Sequence, residues 1–338
     1  MITGAASTAA SLRALPSRAI NELRRDRRAI EKALAAAMGS NGTRIDSAAR
    51  HGLLDGGKRV RPLLTCAVLR AFGKNPREYV DLVVAVEMAH AGSLLHDDVI
   101  DESKTRRGHV TAHVEFDVPT AVLAGDRLVM LGVEHLARGG PSEMLVRFCA
   151  AVKDLCIGES LERERRFDST VDLEQVREVN RLKTAALFGY AAEAGAILAD
   201  APPRLRRAAR DYGLAVGEAF QTTDDHLDFC GDPGAMGKSI GQDLVAGVVT
   251  VPLAIAMERS PDLRDDVLRV WSTERDDDLS ARLAKLREGM TQVGALSATL
   301  RLAAEDAARA ENAVRKLPTS PWRNRLADLA RSVVEREQ

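Results

Sequence analysis

Aromatic residues make up only 4% of this 338-residue chain, and strand-like alternation of β-branched residues is hard to find. Both shortages argue against a β-rich fold. No uninterrupted apolar run approaches the roughly 18 residues of a membrane span, so stable membrane insertion is not expected. Neither sign of charge is in excess: 48 Lys and Arg against 49 Asp and Glu leave a formal net charge of −1. A nucleic-acid binder would show a basic surplus. Cysteine is scarce, and the four present (Cys66, Cys149, Cys156 and Cys230) are far apart without a C-x-x-C pair. They read as buried, reduced thiols of a cytoplasmic protein rather than disulfides or a zinc site.

Proline is also missing from long windows, 142–201 and 262–317. Helix interiors exclude proline because it removes a donor and clashes with the preceding turn, so these windows predict long helices. The expectation is an all-α chain, a single domain over 1–338 built as one large helical bundle. Residues 1–16 read as a flexible lead-in: Met1 to Ile20 has no acid and two arginines, but no apolar signal-peptide centre. Ser17 to Met38 is amphipathic, with Ile20, Leu23, Ile30, Leu34 and Met38 on one side. Pro62 suits the first turn of a helix over Leu63 to Phe72. Further helices are expected over Tyr79 to His96, from Gly125-Asp126 to Gly139, and over Leu173 to Ala199. Another follows Pro202-Pro203. A glycine-rich loop spans Cys230 to Gly247, helices resume from Pro252, and Arg275 to Asp278 reads as an exposed segment.

Chemistry concentrates in two D-D-x-x-D clusters: Asp97, Asp98 and Asp101, then Asp224, Asp225 and Asp228. On a helix the first and last aspartate of each share a face. One such cluster alone reads as a solvated helix end. Two of them, each following an apolar helix and followed by a basic, glycine-containing loop, imply a compensating cation. Oxygen-only donors select a hard ion such as Mg²⁺, whose shell is commonly completed by phosphate oxygens. The basic residues agree. Lys58 and Arg61 follow Gly56-Gly57, Arg106-Arg107-Gly108 follows the first cluster, and Lys183 and Lys238 flank the second. Together these describe a diphosphate pocket with metal on one wall and cations on the other.

With those motifs in that order, the chain resembles a trans-isoprenyl diphosphate synthase of the polyprenyl synthetase family, of the geranylgeranyl or polyprenyl type. The likeness rests on Gly56-Gly57-Lys58-Arg59-Val60-Arg61-Pro62, the segment His96 to Ser103, Arg106-Arg107-Gly108, Gly125-Asp126, Lys183-Thr184, Phe220-Gln221 with the second cluster, and Gly237-Lys238 with Gly241 and Asp243. It implies an all-α bundle with the two clusters facing across a deep central cavity, in a homodimer. By the same resemblance, Asp97, Asp101 and Asp224 would hold Mg²⁺, with Asp98, Asp225 and Asp228 supporting the shell. Arg106, Lys183, Thr184, Gln221 and Lys238 would take the allylic diphosphate. Lys58, Arg61, His90 and Arg107 match positions that bind isopentenyl diphosphate. The catalytic set it implies is Asp97, Asp101, Arg106, Lys183, Gln221, Asp224 and Lys238.

Two positions depart from the family pattern: Val248 stands where lysine is usual, and Glu162 where glutamine is common. Small residues at Ala89, Gly92, Ser93, Gly132 and Val133 suggest an open hydrocarbon tunnel and a product of C20 or longer, since each buried methylene contributes about 0.8 kcal/mol. His96 and His226 read as structural. Two alternatives remain: a class I terpene cyclase or lyase on the same fold, and a non-catalytic modulating subunit of a heteromeric synthase. The retained isopentenyl diphosphate positions argue against the first, and both intact clusters against the second.

Overall fold

The computed structural model describes residues 17–39, 42–54, 56–230, 241–272 and 279–335. Helices α1 (Ser17–Ala37), α2 (Arg44–Leu54) and α3 (Val60–Ala71) come first, then a 3₁₀ turn (Pro76–Tyr79), a short α4 (Val80–Val83) and α5 (Ala85–Ile100). A two-residue hairpin pairs β1 (Thr105–Arg106) with β2 (His109–Val110). It precedes α6 (Ala112–Glu115), α7 (Val118–Gly139) and α8 (Ser142–Glu164). Next are α9 (Leu173–Asn180), a π turn (Arg181–Ala185), α10 (Ala186–Leu198) and α11 (Pro203–Cys230). The chain closes with α12 (Gln242–Val245), α13 (Val251–Arg259), α14 (Pro261–Ser272), α15 (Leu279–Gln292), α16 (Ala295–Val314) and α17 (Pro321–Val334).

Helix α10 is the axis, with every residue from Ala186 to Leu198 buried. Its alanines and glycines, and those facing it, let helices approach closely. A Cβ on Gly213 of α11 would lie 2.3 Å from the Phe188 carbonyl oxygen, and one on Gly195 2.8 Å from that of Thr65 in α3. Buried apolar side chains form two clusters. The larger spans α1 to α8, α10 and α11 with α16 and α17, and the smaller gathers around α9 and α13 to α16.

Several boundaries differ from the sequence expectation, each for a local reason. Gly125-Asp126 does not open a helix; it lies inside α7. That helix starts where the Asp117 side chain accepts a hydrogen bond from Thr120 N at 2.7 Å, with proline in its first turn. The stretch expected as Tyr79 to His96 is divided near Val84 and runs on to Ile100. The stretch over Leu173 to Ala199 is interrupted by the π turn. Arg107 (φ 53°) and Gly108 (φ 84°) both have positive φ, as a two-residue type I′ hairpin requires. Two of the four cysteines, Cys149 and Cys156, are exposed rather than buried. Gly237, Lys238, the lead-in and Arg275 to Asp278 lie outside the described residues.

Candidate active site

The last turn of α5 carries Asp97 and Asp98, and Asp101 is its C-cap. Asp98 is buried and accepts a 2.7 Å bond from Arg106 Nε in the hairpin. Burial raises its carboxyl above the usual range and Arg106 opposes the shift. Asp101 accepts a 2.6 Å bond from Arg166 Nη2, just past the end of α8. Asp97 is pushed up to about 7, chiefly by burial and then by the nearby Glu159 carboxylate, against the pull of Lys183 and Arg106.

The π turn presents Lys183 and Thr184. A π turn inserts one extra residue into a helix and re-aims the side chains on it, and such turns concentrate at functional sites. Gly158 of α8 makes room for it, since a Cβ there would lie 2.5 Å from Lys183 N. Lys183 Nζ is 2.7 Å from both Glu159 and Glu162. Burial favours the neutral amine, but the two carboxylates outweigh it and hold Lys183 protonated above its ordinary range. Thr184 donates to Gln221 Oε1 at 2.8 Å, which ties the π turn to the second acidic cluster.

On α11, Asp225 is buried and accepts bonds from Gln221 Nε2 (2.9 Å), Asn180 Nδ2 (3.2 Å) and Val251 N (3.2 Å). Burial pushes its carboxyl up to about 7, reinforced by Asp243, although the three donors resist. Asp228 is also buried and accepts from Gln242 N at 3.2 Å. Asp224 is half-buried.

A cavity of about 880 Å³ joins these pieces, with Asp101, Arg106, Lys183, Thr184, Gln221 and Asp225 in its wall. One aspartate of each cluster therefore reaches the same cavity, whereas Asp97, Asp98, Asp224 and Asp228 are not in its wall. Among the described residues, no three carboxylate, imidazole or thiol groups converge to hold an ion as they stand. Asp98 and Asp101 are instead engaged by Arg106 and Arg166. The donor set still suits a divalent cation. It is all carboxylate oxygen, and two members sit near pKa 7 because burial and neighbouring acids penalise their charge.

A second cationic group adjoins the first cluster. Arg61 stacks 4.6 Å over the Phe188 ring, and burial pulls its guanidinium down to about 10. Burial and the charges of Arg61, Arg107, Arg106 and Arg59 hold His90 well below the ordinary histidine range, so its imidazole is neutral. Arg107 donates to the Gly56 carbonyl at 3.1 Å, and Lys58 is exposed. Arg59, between the two expected ligands, is different. It is 3% exposed at φ 52° and bonds Glu31, Glu87 and the Leu53 carbonyl, which anchors the backbone beside Lys58.

Two of the five small residues expected to open a tunnel, Gly92 and Gly132, sit at close helix contacts. A Cβ on Gly92 would lie 2.8 Å from the Gly125 carbonyl oxygen and 3.0 Å from Val129, so Gly92 is a crossing point of α5 and α7. Gly132 meets Phe148 at 3.1 Å and the Ala85 carbonyl at 3.2 Å. Ala89 is buried, Ser93 donates to the His90 carbonyl and Val133 is half-buried; none of the five lines the 880 Å³ cavity. His96 bonds the Val122 carbonyl at 3.0 Å and His226 is buried in α11.

Sequence reasoning passed over Glu159, Arg166 and Asn180. The first two, with Glu162, are spaced i, i+3 and i+7, which places them on one face of α8 and its extension. That shared face, next to the Gly158-Glu159 step, was the available signal.

Comparison with known proteins gives one consistent result. The sequence model of the polyprenyl synthetase family matches residues 43–287. Octaprenyl diphosphate synthase of Escherichia coli (strain K12) is 33% identical over 320 residues, covering 94% of this chain and 98% of that protein. A decaprenyl diphosphate synthase from Rhodobacter capsulatus superposes with a TM-score of 0.87 at 35% identity, over 95% of this chain and 99% of that one. A polyprenyl synthase from Caulobacter crescentus CB15, solved with calcium and isoprenyl diphosphate, gives 0.85 at 34% identity, over 94% and 98%.

Proposed function

The chain belongs to the polyprenyl synthetase family, and from that premise we propose that it is a prenyltransferase condensing isopentenyl diphosphate head-to-tail with an allylic diphosphate. The products are a trans-polyprenyl diphosphate and free diphosphate. The observation that carries this reading is the shared cavity, where an aspartate from each cluster meets Arg106 and Lys183 in one wall.

Asp97, Asp98 and Asp101 on one side, and Asp224, Asp225 and Asp228 on the other, would hold divalent cations, which we take to be Mg²⁺. When bound, the metal supplies positive charge to the diphosphate oxygens as the allylic C–O bond breaks. The chain's own cations do the rest. Each is paired within the chain: Arg106 with Asp98, Arg166 with Asp101, and Lys183 with Glu159 and Glu162. Arg106 and Lys183, which line the cavity, would face the leaving diphosphate and stabilise its growing charge from fixed positions. Thr184 and Gln221 give polar contacts beside it, and Lys238 is assigned to the same diphosphate. Lys58, Arg61, His90 and Arg107 hold isopentenyl diphosphate, with its double bond aligned on the allylic carbon. A new C–C bond forms there and a proton is lost to the released diphosphate. Neutral His90 suits hydrogen bonding rather than charge pairing.

A product of C20 or longer fits the relatives named for octaprenyl and decaprenyl products; Gly92 and Gly132 no longer support it. A homodimer is the expected assembly. Val118, Val122, Leu123 and Met130 of α7 and Val146 and Ile157 of α8 are exposed apolar side chains suited to a second copy. No described helix is long and apolar enough to cross a membrane, and the few, widely spaced cysteines suit a reducing cytoplasm.

The test is chromatography of dephosphorylated products from an allylic diphosphate with and without isopentenyl diphosphate. Chains longer by five-carbon units, formed only with isopentenyl diphosphate, support the assignment. Hydrocarbon or cyclic alcohol formed without it would favour a cyclase.

A further inference from the structure

Resting on the cavity's reading as a diphosphate site, we propose that Arg166 binds the allylic diphosphate and supplies the cation missing from residues 247–252. Among the described residues, four cations line the cavity: Arg106, Arg165, Arg166 and Lys183. Arg165 is engaged elsewhere through both terminal nitrogens, donating to the Gln175 carbonyl and to Glu178, both at 2.9 Å. Arg166 is not. Its Nη2 bonds Asp101 at 2.6 Å and Glu162 is 4.0 Å away, but its Nε is buried without an acceptor. A guanidinium that lines a cavity and keeps a buried donor unused is poised to take an anion.

Its position identifies the anion's place. Phe167 N donates to the Gly247 carbonyl at 2.9 Å, and the Phe167 ring fills the space where a Gly247 Cβ would stand, its nearest atoms 2.7 Å from that point. Arg166 is thus one residue from the joint to Val248, Val249 and Thr250, which line the cavity without any cation. An arginine from the end of α8 covers the wall that this segment leaves neutral.

Asp101 acts as the placeholder. One of its carboxylate oxygens holds a single nitrogen, Nη2, of the Arg166 fork. With Asp101 holding a cation instead, the planar fork would offer two or more N–H groups, a geometry that matches adjacent phosphate oxygens. Glu162, within 4.0 Å of Arg166 and 2.7 Å from Lys183, keeps both cations in register meanwhile.

The experiment compares wild type, Arg166→Ala, the size-preserving Arg166→Gln, and Arg166→Ala combined with Val248→Lys. KM for geranyl diphosphate, KM for isopentenyl diphosphate and kcat are measured, and inorganic diphosphate binding is followed by calorimetry in Mg²⁺. Loss of a charge-assisted fork predicts about tenfold or greater weakening of geranyl diphosphate and inorganic diphosphate in both single variants. KM for isopentenyl diphosphate should move by less than about twofold, and Val248→Lys should restore most of the lost affinity. Unchanged diphosphate affinity in both single variants overturns the proposal. So does a loss that Val248→Lys leaves in place while the Mg²⁺ requirement rises, because Arg166 would then merely position Asp101. A wild type that binds no diphosphate in Mg²⁺ sinks the underlying site reading instead.

Discussion

Asp97 and Asp225 both hold their protons to about pH 7, where ordinary aspartates lost theirs three units lower. The folded chain therefore binds more protons than the unfolded chain between about pH 4 and 7. These two carboxyls contribute stability at the acid end, and it is lost as pH rises through 7. A divalent cation held by these carboxylates would act in the opposite sense: it needs them ionised, so its affinity would rise with pH and its binding would release protons. With a chelator present, Asp97→Asn should gain stability over wild type progressively from about pH 4 to 7 and keep that gain at pH 8, as followed by circular dichroism. A difference that does not change with pH would refute this origin. At this scale the sequence revealed the six aspartates and most cations, because each motif is local. It did not reveal which aspartates line the cavity, since that depends on where Arg106, Arg166 and Asn180 come to rest. Arg59 and Arg61 look alike in sequence; only packing separates the buried anchor from the stacked, partly unsatisfied guanidinium.

Among the elements, the π turn and the α5–α7 crossing carry the most consequence. Gly158→Ala would drive a methyl into Lys183 N, 2.5 Å away. Overpacking of this kind costs about 1–3 kcal/mol. Because the strain falls on the π turn, KM for the allylic substrate should rise along with the loss in stability, which steady-state kinetics and urea denaturation would both register. Gly92→Phe faces the Gly125 carbonyl 2.8 Å away. It should destabilise by about 3 kcal/mol or more, beyond an ordinary overpacking, instead of shortening the product. A well-folded Gly92→Phe enzyme with a shorter product would restore the tunnel reading. Helix existence was legible from proline spacing and apolar periodicity. The π turn was not, because one inserted residue leaves the amphipathic pattern almost intact. Gly125-Asp126 misled because glycine suggests a boundary, whereas here it admits the His96 ring against α7; the true start was marked by Asp117 and Pro119.

For the whole molecule, aspartates more than a hundred residues apart are brought to one cavity because α10 is buried along its entire length and α5, α8 and α11 carry their clusters around it. The all-α class followed from composition. The meeting of the clusters could be expected only from the ordered set of motifs, since no local pattern encodes which helices line one cavity. The outer face of α7 and α8 bears on assembly. Leu123→Glu with Met130→Glu places two charges on side chains 50% and 59% exposed, so the monomer should keep its fold. Sedimentation should show wild type as a dimer and the double variant as a monomer; a wild-type monomer would contradict the proposed assembly. The central claim is prenyl transfer within a metal–diphosphate cavity. It is tested most directly by incubating the protein with labelled isopentenyl diphosphate, Mg²⁺ and, separately, C5, C10, C15 and C20 allylic diphosphates. The prediction is label in a longer prenyl chain with at least one primer, abolished by chelation of the metal; no label in a prenyl chain with any primer would contradict it.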